Sequence, residues 1–366
     1  MSPRARRFLR PRSGPVHRSA PLRAGREGRA LQGRPRARSR RNRKKREAGG
    51  GHPAPLPGFF VFASLATPLL ALLPASLDGQ ELRGRLFAET RVFPHDPAHP
   101  GQRGTAVSPS FGLEPELLWE NSTGRLQLAI KPFFRLDAHD GRRTHFDLRE
   151  ASLLYFGNGW TLVGGLTRVF WGKTEANHLV DILNQTDGVE DIDGEDKLGQ
   201  PLVSFTLERD WGAVDFYYLP YFRERTFAGA RGRLRGAFPV LDEAAFESDA
   251  GRWHPDVAVR WTYWTGGLDV GVSAFRGTSR EPRLIAVAIE EQTVPAESGI
   301  ALRPRYDIID QLSIDAQWTR GPTLWKLEAL TRGGHGDRFF AAVAGVEHTF
   351  SRSVRARPTS GCWARS

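Results

Sequence analysis

Apolar and polar side chains alternate along most of the chain from Leu82 onward. In residues 82–93 the even positions are mostly apolar and the odd positions mostly charged, and residues 125–137 repeat this pattern. A period of two residues is typical of a β-strand that has one apolar and one polar face. The run-and-turn criteria predict twelve strands, near 82–93, 110–120, 124–137, 145–156, 159–171, 201–209, 213–224, 256–265, 267–276, 303–319, 322–332 and 339–350.

The connections between these segments are alternately long and short. Short turns rich in Gly, Asn and Asp lie at 121–124, 157–159, 210–212, 265–267 and 320–322, and longer polar stretches lie at 94–109, 172–200, 225–255 and 277–302. Barrels of the bacterial outer membrane have short periplasmic turns and long extracellular loops. The sequence therefore predicts an all-β fold, an antiparallel transmembrane up-and-down β-barrel of about twelve strands.

A sheet surrounded by lipid has to pair all of its backbone groups, so such a sheet closes on itself. Its apolar positions then face lipid and its polar positions face a wet interior. We predict that basic residues of the polar face line the pore, namely Arg83, Arg85, Arg91, Arg125, Lys131 and Arg135.

Tryptophan occurs mainly beside the short turns. A ring of amphipathic indoles at headgroup level is typical of outer-membrane barrels, whereas tryptophan also packs beside hairpin turns in soluble β proteins. We predict a membrane girdle formed by Trp119, Trp160, Trp211, Trp264, Trp318 and Trp325.

Four features interrupt the strand pattern. Pro132 and Pro220 lie inside predicted strands, where each requires a bulge or a shorter strand because proline cannot donate to the ladder. The alternation breaks at residues 147–151, which predicts a bulge near Arg149. Residues 284–300 are too apolar for an ordinary loop, so they form either a thirteenth strand or a segment folded inward.

The charge is divided unevenly along the chain. Residues 1–50 contain 18 Lys and Arg against two acids, whereas the whole chain has 52 Lys and Arg, 41 Asp and Glu and a net charge of +11. The remainder is therefore mildly acidic, which argues against a nucleic-acid-binding body. Residues 1–57 read as a disordered Arg-rich extension, either a basic arm or a part that the mature protein lacks.

An uncharged apolar run at 59–77 follows the basic residues and ends near small side chains. This layout favours a secretory signal over a membrane anchor. The predicted organisation is an extension at 1–57, a signal-like segment at 58–79, a barrel at 80–350 and a basic tail at 351–366, which is either free or the product of a frameshift or truncation.

The predicted loop between strands five and six is strongly acidic. We predict that its acids fold into the pore and set charge selectivity, or form a solvated loop without that role. They are Glu175, Asp181, Asp187, Glu190, Asp191, Asp193, Glu195 and Asp196. A calcium site within 191–196 lacks the glutamate expected at the twelfth loop position. His178 beside Glu175 and Asp181 is either a metal ligand or base or, as we favour, part of a polar turn cap.

No hydrolase, zinc-protease, phosphate-loop or dinucleotide fingerprint occurs in the sequence. The single cysteine, Cys362, excludes an intrachain disulfide and a cysteine-based zinc site. We therefore predict no enzyme activity, no catalytic residues, no metal and no cofactor.

Residues 169–187 (VFWGKTEANHLVDILNQTD) and 194–201 (GEDKLGQP) resemble a stretch of uncharacterised porin-like outer-membrane proteins of Gram-negative bacteria. The resemblance implies a secreted barrel with a pore-like interior and no known substrate. The expected function is passive passage of small polar solutes across the cell outer membrane, with membrane lipid and lipopolysaccharide as partners and no nucleic acid. The alternatives are an outer-membrane barrel enzyme of lipase or protease type and a soluble secreted β-rich binding module.

Overall fold

A computed structural model describes residues 67–68, 76–77, 79–175, 177–288 and 299–350. The chain divides into two units, Met1–Phe59 and Phe60–Ser366, and all of the described residues belong to the second. The predicted extension at 1–57, most of the signal-like segment at 58–79 and the tail at 351–366 lie outside the described residues.

Strands are almost the only regular secondary structure in the described part of the chain. Its strands are β1 (Thr67–Pro68), β2 (Ser76–Leu77), β3 (Gln80–Val92), β4 (Val107–Glu120), β5 (Leu126–Asp137), β6 (His145–Phe156), β7 (Trp160–Thr167), β8 (Gln200–Arg209), β9 (Gly212–Leu219), β10 (Ala245–Phe246), β11 (Asp256–Thr265), β12 (Leu268–Thr278), β13 (Arg283–Ala288), β14 (Ile300–Tyr306), β15 (Ile308–Arg320), β16 (Thr323–Gly333) and β17 (Phe339–His348). The prediction of an all-β fold is confirmed.

Twelve long strands form one antiparallel meander, in which each strand pairs with the next long strand along the chain. Their order is β3-β4-β5-β6-β7-β8-β9-β11-β12-β15-β16-β17. Five short turns join alternate pairs, at 121–125, 157–159, 210–211, 266–267 and 321–322, and the connections at the other end include those at 93–106, 168–199 and 220–255. Consecutive strands run in opposite directions, so every second connection lies at the same end of the sheet. The five short turns are every second connection, and they therefore all lie at one end.

The main sheet is not closed in the described part of the chain. Strand β17 pairs with β16 alone, and the outer edge of β3 pairs with the two-residue strands β1 and β2. A closed transmembrane barrel therefore stays a prediction, whereas the antiparallel up-and-down arrangement of its strands is present.

The predicted strand at 303–319 was wrong as a single element. Asp307 separates β14 from β15, and the two strands belong to different sheets. Of the apolar segment 284–300, residues 284–288 lie in β13 and Ile300 begins β14, whereas residues 289–298 lie outside the described residues. Strands β13 and β14 pair with each other and join β10 in a three-stranded sheet that is separate from the meander.

The irregularities that the sequence predicted are found at both prolines. The register between β5 and β6 pairs Lys131 with Glu150 and Pro132 with Leu148, so Arg149 is the extra residue of a bulge. Pro220 follows directly after the end of β9, so that strand is shorter than predicted. Strand β7 likewise ends at Thr167, and the residues after it begin the long connection to β8.

The only helix among the described residues is the short 3-10 turn Gly251–Trp253. In this part of the chain no helix has the length and apolar character needed to cross a bilayer.

The main apolar cluster lies between one connection and one face of the sheet. Trp171, Val180, Ile182 and Leu183 come from residues 168–199, which we call the β7–β8 connection. They pack against side chains of the sheet and of its strand ends, namely Leu202, Leu219, Ala258, Phe275 and Ile309. The connection is therefore fixed to the sheet by packing as well as by the polar contacts described below.

Candidate functional site

The main sheet buries polar side chains and exposes apolar ones. In β15 the buried Gln311, Ser313 and Asp315 alternate with the exposed Leu312 and Ile314. The exposed apolar face continues through the other strands, with Phe111, Leu136, Phe146, Leu162, Phe205, Phe216, Val259, Leu327 and Phe340. Soluble proteins almost never bury charged side chains unless these are paired, and they bury their large apolar side chains first. The distribution in this sheet is the reverse.

The β7–β8 connection lies on the buried polar face and reaches across to β16. The backbone N–H groups of Lys173 and Thr174 donate to Glu328 Oε1 at 2.6 and 2.8 Å, and that of Val180 donates to Oε2 at 3.2 Å. The Thr174 hydroxyl donates to the same carboxylate at 2.8 Å. Glu328 is fully buried, so this carboxylate exchanges its hydration for four donors of the connection.

The same connection is bound to the other side of the sheet by arginines of β3, β5 and β6. Arg135 donates to both oxygens of Glu190, at 3.0 and 2.6 Å, while Arg91 donates to the Glu190 carbonyl oxygen at 2.6 Å. Arg149 lies 2.6 Å from Asp187. Strands β3 and β16 lie ten positions apart in the meander, yet the β7–β8 connection contacts both of them. The sheet therefore curves around this connection.

Five of the six predicted pore-lining residues lie on the polar face of β3 and β5. Arg91 and Arg135 are buried under the β7–β8 connection. Arg85 is more accessible, with 61% of its side chain exposed, and it shares Glu114 with Lys131 at 2.8 and 2.9 Å. Arg83 alternates onto the same face and pairs with Glu81, whereas Arg125 lies in the turn before β5 and is exposed. The polar face is thus covered near the long connections and open near the short turns.

The predicted acidic residues are divided between wall contacts and solvent. Glu175 pairs with Lys326, Asp191 lies 3.7 Å from Arg91, and Glu195 lies 3.2 Å from His178. Asp187 and Glu190 pair with the arginines of β6 and β5, whereas Asp193 and Asp196 are exposed. The structure therefore brings acids of the connection against the basic wall, as the inward-folded alternative requires.

Asp181 is a buried acid of the connection whose pKa is strongly raised. Its side chain is 2% exposed, and Oδ2 lies 3.6 Å from Lys197 Nζ. Burial raises the pKa of Asp181 to about 6, although the Lys197 ammonium acts in the opposite direction. By contrast, the hydrogen bond from Lys326 lowers the pKa of Glu175.

All six predicted girdle tryptophans lie in or beside the short turns. Trp318 and Trp325 are direct partners across the β15–β16 turn, and both are exposed. Trp211 and Trp264 are also exposed, while Trp119 and Trp160 are half-buried. The structure places the indoles at one end of the sheet, and their contact with lipid stays a prediction.

One cluster has the composition of a metal site but not its electrostatics. Donor atoms of His145, Asp187 and Glu190 lie within 4.8 Å of one another. Arg149 and Arg135 already neutralise the two carboxylates at 2.6 Å each. Two guanidinium groups at this distance repel a cation, so the cluster is better described as a buried ion-pair network.

Several charged residues that hold the polar face together were not identified from the sequence. Arg260 pairs with Asp315 at 2.7 Å and Arg280 with Asp256 at 2.6 Å, all four buried. The period-two pattern identifies the face of Arg260, Asp315 and Asp256, whereas Arg280 lies in the connection after β12. The pattern does not identify the partner of any of them, because each partner lies on another strand or in a connection. Only the break in alternation at Arg149 gave a local signal.

Neither a protein-family model nor a curated protein matches this chain.

Proposed function

We propose that this protein is an outer-membrane β-barrel that lets small polar solutes pass by diffusion. The observation that carries the proposal is the reversed face distribution of the main sheet, with charged residues buried and large apolar residues exposed. In water this arrangement leaves an extended apolar surface without a partner, whereas in a bilayer that surface meets acyl chains.

Closure of the sheet is part of the proposal. The meander has twelve long strands, and an even number makes β3 and β17 antiparallel neighbours when the sheet closes. Each unpaired backbone N–H or C=O group at a sheet edge costs roughly several kcal/mol in hydrocarbon. A bilayer therefore strongly favours pairing of β3 with β17. Bacterial single-chain barrels have even strand numbers.

The solute path follows the polar face. Near the short turns it passes the accessible Arg85, and near the long connections it meets the β7–β8 connection held by Glu328 and Arg135. Eight-stranded barrels are filled by side chains and sixteen-stranded barrels enclose a channel, so twelve strands give a narrow lumen. The connection narrows it further, which favours small polar solutes.

No observation favours either alternative function. Among the described residues, no serine or cysteine side chain is hydrogen-bonded to a histidine, as a nucleophile and its base would be. In a soluble binding module the exposed apolar face of the sheet would be in contact with water. Fractionation tests this alternative, because a folded chain that stays soluble without detergent contradicts the membrane proposal.

Conductance across a planar bilayer tests the channel directly. We expect refolded protein to give discrete current steps, and Arg85→Glu to shift the reversal potential in a salt gradient towards cation selectivity. Arg320→Glu is the matched control, because Arg320 is exposed at the β15–β16 turn. Absence of conductance at every voltage, from protein that has inserted, removes the channel proposal.

A further inference from the structure

Two connections at the end of the sheet opposite the short turns are joined to each other. The Arg103 N–H donates to the Arg231 carbonyl oxygen at 3.0 Å. Gln102 Nε2 lies 3.3 Å from the carbonyl oxygens of Gly232 and Arg233. Residues 93–106 and 220–255 therefore form one continuous surface above β3 and β4.

These two connections carry four arginines that no acid neutralises. Among the described residues, no carboxylate lies within 4.0 Å of the guanidinium groups of Arg103, Arg231, Arg233 or Arg235. Arg103 and Arg231 are exposed and Arg233 is half-buried, and we call these three the arginine surface, whereas Arg235 is buried. Arg233 donates to the carbonyl oxygens of Arg103 at 3.1 Å and His95 at 2.6 Å. Arg235 donates to that of Ala230 at 2.6 Å. Backbone carbonyls thus fix two of these cations without removing their charge.

The second connection is anchored so that its arginines keep this position. The Gly229 N–H lies 3.1 and 3.0 Å from the two carboxylate oxygens of Asp140. A Cβ atom at Gly229 or Gly232 would approach those oxygens to 2.4 or 2.3 Å. The close approach of Asp140 requires glycine at both positions, and it holds the segment that bears Arg231, Arg233 and Arg235.

The arginine surface directly adjoins the exposed apolar face of the sheet. Val92 and Val107 are paired at the ends of β3 and β4, and both are exposed. Phe238 is exposed beside the arginines of its own connection, and the Arg233 guanidinium lies 4.8 Å from the ring centroid of Phe93. Exposed apolar side chains therefore lie directly beside cations that hydrogen bonds hold in place. Acyl chains and phosphate groups are arranged side by side in the same way in a phosphorylated lipid.

We propose that the arginine surface binds the phosphate groups of a phosphorylated glycolipid of the lipid A type. Guanidinium groups recognise phosphate by paired charge-assisted hydrogen bonds. Continuity with the apolar face selects a lipid over a free anion, because the acyl chains gain contact with Val92 and Val107 while the phosphates meet Arg103 and Arg231. This inference rests on the proposed membrane location and assigns a lipid site to it.

The test uses the full chain refolded in a zwitterionic detergent and titrated with bisphosphorylated lipid A, dephosphorylated lipid A and inorganic phosphate in a calorimeter. The variant is Arg103→Glu with Arg231→Glu, since both side chains are exposed. The control is Arg125→Glu with Arg320→Glu, which makes the same charge change at exposed turn positions of the opposite end.

We expect the variant to bind bisphosphorylated lipid A roughly tenfold or more weakly, and the control to bind within about twofold of the unsubstituted chain. Dephosphorylated lipid A binds weakly to all three, and inorganic phosphate does not compete. Equal weakening in both double variants, equal affinity for the dephosphorylated lipid, or competition by inorganic phosphate overturns the lipid site.

A chain that inserts and conducts but fails these tests contradicts this inference alone, whereas a chain that does not enter bilayers contradicts the proposed function and this inference with it.

Discussion

Glu328 shows how a single buried acid holds the β7–β8 connection. Oε1 accepts from the N–H groups of Lys173 and Thr174 and from the Thr174 hydroxyl, and Oε2 accepts from the Val180 N–H. Each oxygen accepts from at least one backbone N–H group, so an amide in either orientation directs its NH2 group at an N–H donor. The ionised carboxylate therefore suits this position and its neutral isostere does not.

We expect Glu328→Gln to lower the free energy of unfolding by ~1–3 kcal/mol, because at least one buried donor loses its acceptor. Urea unfolding of the refolded protein in lipid vesicles measures the change. Glu208→Gln is the matched control, since Glu208 is exposed at the end of β8 and its substitution leaves stability almost unchanged. Equal effects of the two substitutions contradict the role assigned to Glu328.

Asp181 makes the stability of the protein depend on pH. Its pKa is about 6 in the folded chain, above the value of 3.8 for an unperturbed carboxyl group. The folded state therefore favours the protonated form, and this contribution to stability is complete below pH 3.8 and is lost as the pH rises through 6.

We expect Asp181→Asn to be more stable than the unsubstituted chain at pH 7, by ~1–3 kcal/mol, and nearly equal to it at pH 4. The measurement is urea unfolding at a series of pH values between these limits. Asp249→Asn, at an exposed position, provides the control and keeps the pH dependence of the unsubstituted chain. A difference between Asp181→Asn and the unsubstituted chain that does not change with pH contradicts this account.

Residue-level prediction from the sequence succeeded where the information is local. Alternation identified the face of Arg91 and Arg135, because the pleat alone decides it. It gave no partner for either, since Glu190 is 55 residues from Arg135 and 99 from Arg91. Glu328 was missed for the same reason, because its donors come from a connection more than a hundred residues earlier.

The elements show the same division between local and distant causes. The bulge at Arg149 is visible in the sequence because one extra residue reverses the alternation. The separation of β14 from β15 is not visible in the sequence, because apolar and polar residues alternate through Asp307 while the chain passes from one sheet to the other. Asp307 makes that change with its side chain bonded to Arg305 at 3.0 Å.

Two adjacent glycines in β7 provide a test at the scale of the strand. Gly165 has a φ of +128°, and a Cβ atom there would lie 2.2 Å from the Ala151 carbonyl oxygen of β6, whereas a Cβ atom at Gly164 would meet nothing within 4 Å. We expect Gly165→Ala to lower the free energy of unfolding by on the order of 2 kcal/mol or more. Gly164→Ala should change it by less than about 0.5 kcal/mol.

The two alanine variants are compared by urea unfolding under identical conditions. Because the side chains added are the same and the positions are adjacent, a difference between them reports the positive φ and the close approach of β6 at Gly165 together. Similar stabilities for both variants contradict that strand pairing.

At the scale of the whole molecule, the predicted meander of twelve strands is present, whereas the predicted closure of the sheet stays a prediction. Alternation and turn chemistry act over a few residues, so they gave the strands, their order and the end at which the turns lie. Closure depends on an encounter between β3 and β17, which lie about 250 residues apart and have no local signal for each other.

The environment of the exposed apolar face decides between a membrane protein and a soluble one. Ile314 lies in the middle of β15 on that face, and Ile192 is an exposed residue of the same type in the β7–β8 connection. In water an exposed isoleucine is replaced by arginine at little cost, usually within about 0.5 kcal/mol. At the midplane of a bilayer the same replacement on a barrel strand costs ~2–4 kcal/mol.

We therefore expect Ile314→Arg to destabilise the protein in lipid vesicles by ~2–4 kcal/mol and to reduce the fraction that inserts, because the guanidinium would be placed among acyl chains. Ile192→Arg adds the same charge and should leave insertion and stability nearly unchanged. Reversible urea unfolding and flotation of the vesicles give the two readouts. If both variants insert and unfold alike, the apolar face of β15 does not meet lipid, and the reversed distribution of polar and apolar residues needs another explanation.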